Sequence, residues 1–224
     1  MNGTLRNSIF VGPRRLPGEL VLPAGSSGLV VFAHGSGSSR LSPRNRYVAE
    51  VLHQRRIGTL LFDLLTDAEA EDRRNVFDIE MLGARLGEAL GWLLQRPDTS
   101  ALSTGLFGAS TGAAAALVCA ARCPERVAAV VSRGGRPDLA GAHLPAVSAP
   151  TLLIVGSDDY DVLQLNRSAW RELRCEKRLE IVPGATHLFE EPGTLETVAV
   201  LAADWFARYL AQGANDDKPI LRSQ

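Results

Sequence analysis

A serine lies between two glycines in the segment Gly108-Ala109-Ser110-Thr111-Gly112. An apolar run at residues 105–107 precedes the segment, and an alanine-rich stretch, Thr111–Arg122, follows it. We predict a strand, a tight turn and a helix, because the glycines and the small Ala109 leave room for a sharp reversal. A serine in such a turn has a strained backbone and faces the positive end of the helix. Ser110 is therefore the candidate nucleophile, and a plain structural turn is the alternative.

A serine hydroxyl is a weak nucleophile and needs a general base, which is usually a histidine. His187 follows the last predicted strand and precedes the last predicted helix, so we expect it at the carboxyl edge of the sheet. The other histidines fit this role less well. His53 is expected to be solvated on a charged helix, His143 to lie on the surface, and His34 to tie down the loop that follows the first long strand. His187 is the predicted base.

A third residue must accept a hydrogen bond from the histidine and fix its tautomer. Three acids, Asp158, Asp159 and Asp161, follow the predicted strand at residues 151–155. Asp161 is well placed to cap the next helix, and Asp158 lies where the turn is only starting. Their loop positions favour Asp159 as the acid. Asp63, after an earlier strand, is a weaker candidate that suits a structural role better.

Acyl transfer builds negative charge on a carbonyl oxygen, and N–H groups held in place stabilise that charge. We expect one donor to be the backbone N–H of Thr111. The second should come from the loop His34-Gly35-Ser36-Gly37-Ser38-Ser39-Arg40, whose glycines allow close approach of a ligand. Ser36 is the predicted second donor and Gly37 is the alternative. Because this loop lacks the lysine of a phosphate-binding P-loop, we favour the oxyanion role.

Short apolar runs alternate with helical patterns along the chain, which predicts an α/β fold with a mostly parallel central sheet flanked by helices. The strands are predicted at residues 29–33, 59–62, 105–107, 127–131, 151–155 and 179–182. The helices are predicted at residues 46–55, 78–95, 111–122, 162–173 and 195–210. Residues 9–22 are expected to form one or two antiparallel edge strands, because two prolines interrupt them. Ligands of such sheets bind beyond the carboxyl ends of the strands, where all the candidate residues lie.

The composition is that of a folded chain, with 46% hydrophobic and 22% charged residues. We predict one domain at residues 1–212 and a polar, frayed tail at residues 213–224. The net charge of −1 comes from 24 basic and 25 acidic residues, so we expect no general affinity for nucleic acid or membrane. No run approaches the roughly 20 apolar residues that span a bilayer. Cys119, Cys123 and Cys175 are expected to be buried, reduced thiols, which favours a cytoplasmic location.

Four separated motifs occur in one consistent order: His34-Gly35-Ser36-Gly37, Gly108-Ala109-Ser110-Thr111-Gly112, Gly156-Ser157-Asp158-Asp159 and Gly184-Ala185-Thr186-His187. In these motifs the chain resembles the α/β-hydrolase superfamily, and within it the compact dienelactone-hydrolase-like branch. The resemblance extends from about residue 20 to residue 210. It implies the α/β-hydrolase fold, and it also favours Asp159, which falls three residues after Gly156.

The chain departs from that branch in two ways. Dienelactone hydrolases proper carry a cysteine nucleophile where this chain has Ser110, so the resemblance does not carry the dienelactone substrate with it. Many relatives also insert a helical lid, for which residues 132–149 are too few. We therefore expect no large lid domain and an open site that suits small or awkwardly shaped acyl substrates.

Arginines gather in the loops at the predicted edge of the site: Arg40, Arg44, Arg46, Arg133 and Arg136. One hypothesis is that Arg40 or Arg133 faces the pocket and pairs with a substrate carboxylate, which the guanidinium geometry suits. The favoured interpretation is that these arginines pair with nearby aspartates and form a solvated rim. The aspartates concerned are Asp63, Asp67 and Asp138.

The sequence thus predicts a carboxylic ester hydrolase that acts on a small acyl ester, lactone or thioester. Ser110 attacks the acyl carbon, His187 moves the proton and Asp159 orients His187, while the N–H groups of Thr111 and Ser36 hold the oxyanion. This chemistry needs no metal and no organic cofactor, and the expected partner is a small-molecule acyl substrate. The alternatives are an acyltransferase, a small-peptide hydrolase, or a non-catalytic protein that binds a ligand in the same pocket.

Overall fold

The computed structural model describes residues 3–211. Within this range the strands are β1 (Leu5–Val11), β2 (Leu16–Leu22), β3 (Gly28–Ala33), β4 (Ile57–Phe62), β5 (Thr104–Ala109), β6 (Ala129–Arg133), β7 (Thr151–Gly156) and β8 (Lys177–Val182). The α-helices are α1 (Pro43–Gln54), α2 (Asp67–Ala70), α3 (Arg73–Val76), α4 (Ile79–Leu94), α5 (Thr111–Arg122), α6 (Tyr160–Glu172) and α7 (Thr194–Leu210). A 3₁₀ segment, Pro137–Ala146, lies between β6 and β7.

The described strands form one sheet in the order β1-β2-β4-β3-β5-β6-β7-β8. The pairs β1–β2 and β2–β4 are antiparallel, and every later pair is parallel. The predicted mostly parallel sheet is therefore confirmed. The edge prediction for residues 9–22 is right for β1 and wrong for β2, which lies between β1 and β4 and buries Leu20 and Val21 there.

Helices cover both faces of the sheet, which explains why its central strands are apolar without alternation. On one face, Leu86 of α4 and Leu117 of α5 belong to a buried cluster with side chains of β3 and β5. On the other face, Val48 of α1 and Phe206 of α7 pack into a second buried cluster. The carboxyl ends of the parallel strands consequently emerge between two layers of helices, and the loops at these ends carry the predicted site.

Capping residues at the helix starts explain why some observed helices begin at other residues than predicted. Helix α5 has the predicted bounds, whereas α1 begins at Pro43 because the Ser42 side chain accepts the N–H of Asn45. Helix α6 begins at Tyr160 with Asp159 at its N-cap, so the prediction that Asp161 caps this helix is wrong. Asp161 lies in the first turn of α6 instead, and it is exposed.

The connection between β6 and β7 contains only the short 3₁₀ segment, which is kinked at Gly141. This confirms that no large lid domain is inserted here. No helix within residues 3–211 is long and apolar enough to cross a membrane. The domain limits at residues 1–212 stay a prediction, and the predicted tail at residues 213–224 lies outside the described residues.

Candidate active site

The predicted turn at Ser110 forms between the end of β5 and the start of α5. Ser110 has φ 52° and ψ −122°, a region that strongly favours glycine over residues with a Cβ atom. Both flanking glycines are needed in this turn. A Cβ atom on Gly108 would collide with the Ala113 backbone, and one on Gly112 would collide with the carbonyl oxygen of Ala33.

Backbone hydrogen bonds hold Ser110 firmly in this strained position. Its N–H donates to the Arg133 carbonyl (3.2 Å), and its own carbonyl accepts the N–H groups of Ala113 and Arg136 (3.1 Å each). Ser110 occupies the N-cap of α5, yet its side chain makes no capping hydrogen bond to that helix. The hydroxyl is therefore left available at the positive end of a twelve-residue helix.

The structure brings Asp159 and His187 together at the carboxyl edge of the sheet. The Nδ1 atom of His187 lies 2.7 Å from Oδ2 of Asp159. The other two candidate acids lie elsewhere, since Asp158 accepts a hydrogen bond from Ser157 and Asp161 is exposed on α6. A proton on Nδ1 of His187 donates to Asp159, which leaves Nε2 as the atom that can accept a proton.

The loops after β6, β7 and β8 are packed against one another. The N–H of Asp158 donates to the Ala185 carbonyl (3.0 Å), and Gly156 lies too close to that carbonyl for any side chain. A Cβ atom on Gly134 would lie 3.0 Å from the His187 carbonyl oxygen. Among residues 3–211, His187 hydrogen-bonds Asp159 and not Ser110.

The loop after β3 runs directly beside the serine, since a Cβ atom on Gly35 would lie 3.0 Å from Cβ of Ser110. His34 anchors this loop as predicted. Its Nε2 accepts the N–H of Leu64 (3.1 Å), so Nδ1 carries the proton and donates to the Gly35 carbonyl (3.0 Å). Burial lowers the pKa of His34, which keeps the ring neutral and this arrangement intact.

The predicted oxyanion residues are in direct contact with each other. The N–H of Ser36 donates to the Oγ1 atom of Thr111 at 2.9 Å, and Thr111 is only 5% exposed. The Thr111 N–H lies in the first turn of α5, where a helix offers it no internal acceptor. The sequence analysis did not predict that the Thr111 hydroxyl accepts this hydrogen bond. A hydroxyl residue directly after the candidate nucleophile was the signal that could have indicated it.

A cavity of about 210 Å³ opens beside this loop. The loop residues 34–39 and Thr111 form its polar side. Its apolar side is formed by Leu64, Leu65, Val76 and Leu82. The volume is below the roughly 300–1,000 Å³ of common small-molecule sites. The cavity adjoins the predicted oxyanion residues, and neither Ser110 nor His187 is among the residues that line it.

The arginines at the edge of the site divide into paired and unpaired residues. Arg40 pairs with Asp63 through its backbone N–H (2.7 Å) and its guanidinium, and Arg136 pairs with Asp138. The rim interpretation therefore describes these two. Arg133 is different, because it makes no ion pair within residues 3–211 and is 7% exposed.

The remaining histidines and the cysteines lie outside the candidate active site. His53, which was expected to be solvated, is half-buried: its Nε2 lies 2.7 Å from Oγ1 of Thr59, and burial lowers its pKa. His143 pairs with Glu80 near the surface. The three cysteines are free thiols, of which only Cys119 is fully buried, with a pKa raised by that burial. Cys123 and Cys175 are half-buried.

Comparison with known proteins identifies the family. The family model described as the dienelactone hydrolase family matches residues 61–211, more than half of the chain. This chain belongs to the dienelactone hydrolase family. A dienelactone hydrolase from Anabaena variabilis is 57% identical to it, with a TM-score of 0.89 over 93% of this chain and 98% of that one.

More distant structures share the α/β-hydrolase fold of the family. Est1E from Butyrivibrio proteoclasticus is 12% identical, with a TM-score of 0.74 over 93% of this chain and 99% of that one. At that identity the likeness concerns the fold alone. Family membership and the close Anabaena structure support a hydrolase activity.

Two Mycobacterium tuberculosis proteins with a provisional phosphoribosyl transferase name are each 60% identical over 202 residues. The match covers 90% of this chain but 46% of each of those proteins. The chain thus spans about half the length of the curated relatives that it matches.

Proposed function

We propose that the chain is a serine hydrolase of carboxylic esters, with Ser110 as nucleophile, His187 as base and Asp159 as its orienting acid. The observation that carries the proposal is the 2.7 Å contact between Nδ1 of His187 and Oδ2 of Asp159. That contact lies at the sheet edge where Ser110 has a strained backbone and a hydroxyl unused by the helix. This combination is the one that serine acyl transfer requires.

The proposed reaction has two steps that use the same groups. Nε2 of His187 takes the Ser110 proton while Oγ bonds to the acyl carbon, and the alcohol then leaves with that proton. Water next attacks the acyl carbon and gives a proton to His187, which passes it to Oγ of Ser110 as the acyl–Oγ bond breaks and the acid leaves. Asp159 keeps the imidazole in the tautomer that both steps need. No metal and no organic cofactor takes part in this scheme.

The oxyanion is held by N–H groups at the start of α5 and in the loop after β3. We propose the Thr111 N–H as the first donor and Ser36 as the second, with Gly37 as the alternative. The Ser36 N–H already donates to Thr111 Oγ1, so a substrate oxygen would have to share this donor or replace the hydroxyl. Thr111 then serves the site twice, through its backbone and through its side chain.

The proposed substrate is a small-molecule ester, lactone or thioester whose acyl group fits the apolar cavity beside Ser36. An acyltransferase or a small-peptide hydrolase would use the same groups and differ in the acceptor or the leaving group. We propose that the phosphoribosyl transferase name describes the part of the mycobacterial proteins that lies outside the match, and not the part that corresponds to this chain.

Removing the Ser110 hydroxyl tests the proposal. We expect Ser110→Ala to lower kcat/KM for p-nitrophenyl acetate by at least about 10³-fold while circular dichroism stays unchanged, because no other group replaces the nucleophile. Ser100→Ala, an exposed serine before β5, is the matched control and should keep full activity. A fluorophosphonate probe should label Ser110 in the parent chain. Retained turnover in Ser110→Ala would refute the assignment, and a parent chain that neither labels nor turns over would indicate a non-catalytic binding protein.

A further inference from the structure

A short segment at the end of β6 holds the backbone of the candidate nucleophile. We call this segment, residues 133–136, the β6 link. The Arg133 carbonyl accepts the Ser110 N–H (3.2 Å), and the Arg136 N–H donates to the Ser110 carbonyl (3.1 Å). The β6 link therefore fixes both sides of the strained Ser110 backbone, and a displacement of the link displaces Ser110.

The β6 link also lies against the candidate base. A Cβ atom on Gly134 would lie 3.0 Å from the His187 carbonyl oxygen and 3.6 Å from the Nδ1 atom of that residue. In the described part of the chain, His187 hydrogen-bonds Asp159 and makes no hydrogen bond to Ser110. Because no direct bond sets the distance from Ser110 to the Asp159–His187 pair, the packed backbone between them sets it. The β6 link is part of that backbone, since it contacts both sides.

One buried side chain ties the β6 link to α6, the helix whose N-cap is Asp159. Asn166 is 0% exposed, and its Nδ2 atom donates to the carbonyl oxygens of Gly135 (2.9 Å) and Val162 (2.8 Å). The bond to Val162 stays within α6, whereas the bond to Gly135 leaves the helix and ends on the β6 link. Asn166 thus joins the helix that begins at the acid to the segment that holds the serine.

Packing alone would favour an apolar residue at this position of α6. The buried residues of the helix are Leu163, Asn166 and Ala169, whose spacing is that of a stripe facing the core. A buried amide costs free energy unless its polar atoms are hydrogen-bonded, and the Oδ1 atom of Asn166 has no partner among residues 3–211. What the amide adds over an apolar side chain is the hydrogen bond to Gly135.

We propose that Asn166 is a positioning residue that sets the separation between Ser110 and the Asp159–His187 pair. It acts through the Gly135 carbonyl and touches no reacting atom. This inference rests on the proposed serine hydrolysis and deepens it, because it names a residue on which the alignment of that site depends. With the hydrogen bond in place, α6 and the β6 link keep the acid, base and nucleophile in register. A misplacement of about 1 Å can lower a rate by roughly 10²-fold.

Replacing the amide by an apolar side chain of similar size tests this role. We expect Asn166→Leu to lower kcat for p-nitrophenyl acetate by roughly 10–100-fold, because proton transfer depends on alignment. KM should change little, since no residue of α6 or of the β6 link lines the cavity beside Ser36. The rate at which a fluorophosphonate labels Ser110 should fall in parallel with kcat.

Thr151→Val is the matched control. Thr151 is also 0% exposed, and its hydroxyl donates to the Ala149 carbonyl (2.9 Å). It lies at the start of β7, the end of that strand away from Asp159. Loss of this buried hydrogen bond should lower the Tm and leave kcat at the parent value, because the bond does not reach the site.

A second variant separates positioning from stability. In Asn166→Asp a neutral carboxyl can donate to the Gly135 carbonyl, whereas an ionised carboxylate cannot. Burial should raise the pKa of the introduced carboxyl, so the ratio of the variant kcat to the parent kcat should rise as the pH is lowered. The same ratio for Asn166→Leu should not depend on pH. Circular dichroism at each pH gives the folded fraction by which the rates are corrected.

The outcomes distinguish this inference from the proposed function. A parental kcat in Asn166→Leu, or an equal fall in Thr151→Val, would overturn the inference and leave the proposed function standing. A pH-independent ratio for Asn166→Asp would do the same, and it decides the matter if Asn166→Leu does not fold. A parent chain that neither hydrolyses the ester nor labels with the fluorophosphonate would overturn the proposed function and this inference together.

Discussion

At the scale of single residues, three neighbouring aspartates after β7 differ in what their carboxylates contact. Asp159 meets His187, Asp158 accepts from Ser157, and Asp161 is exposed. The sequence limits the choice to these three, but it does not separate them by contact. The start of α6 decides the matter, because the Leu163 N–H donates to the Asp159 carbonyl and so places Asp159 at the N-cap.

Asparagine at each of two neighbouring positions tests this difference. We expect Asp159→Asn to lower kcat by roughly 10³–10⁴-fold, because an amide in place of the carboxylate favours the wrong histidine tautomer. The same change at Asp158 should alter kcat little, since that side chain points to Ser157. Steady-state kinetics on p-nitrophenyl acetate compare the two proteins. Equal effects at both positions would contradict the assignment of the acid.

At the scale of elements, one hydrogen bond joins the loop after β3 to the first turn of α5. It runs from the Ser36 N–H to Thr111 Oγ1, two groups that are far apart in sequence. The positions of both elements could be predicted from apolar runs and glycines. The hydrogen bond of the Ser36 N–H could not be predicted, because it depends on how closely Gly35 approaches Ser110 in the folded chain.

Replacing the Thr111 hydroxyl by a methyl group tests the role of this bond. Thr111→Val keeps the backbone N–H and the side-chain shape but leaves the Ser36 N–H without its acceptor. We expect kcat to fall about tenfold with a smaller change in KM, as loss of one positioning hydrogen bond implies. Thr111→Ser retains the hydroxyl and should restore most of kcat. A Thr111→Ser protein as slow as Thr111→Val, or no change in either, would contradict this role.

At the scale of the whole molecule, the class of sheet and the order of the site loops could be predicted from the alternation of apolar runs and helical patterns. The four-residue helices α2 and α3 could not, because segments of that length show no helical period. The environment of His53 could not be predicted from the sequence either. Its flanking charges indicate solvent, whereas the contact with Thr59 arises only when α1 packs on β4.

The burial of His34 and His53 predicts an acid-sensitive fold. Burial lowers the pKa of both below the ordinary histidine value of 6.5, so the unfolded chain takes up protons first as the pH falls. Their contribution to the free energy of unfolding is complete above pH 6.5 and is lost from there down through the lower folded-state pKa values. Urea unfolding at several pH values should show this decline, with a shallower slope in His53→Gln. An unchanged slope in that variant would contradict the prediction for His53.

The backbone of Ser110 has a consequence for how this chain responds to selection. At φ 52° a glycine would relieve about 1–3 kcal/mol of strain that a serine has to bear. If Ser110 is the nucleophile, the residue that best suits folding is the one that ends turnover. Selection for heat resistance alone would then favour loss of the hydroxyl at this position. Laboratory evolution of a more robust chain would need activity as a second criterion, because the two properties conflict at this one torsion angle.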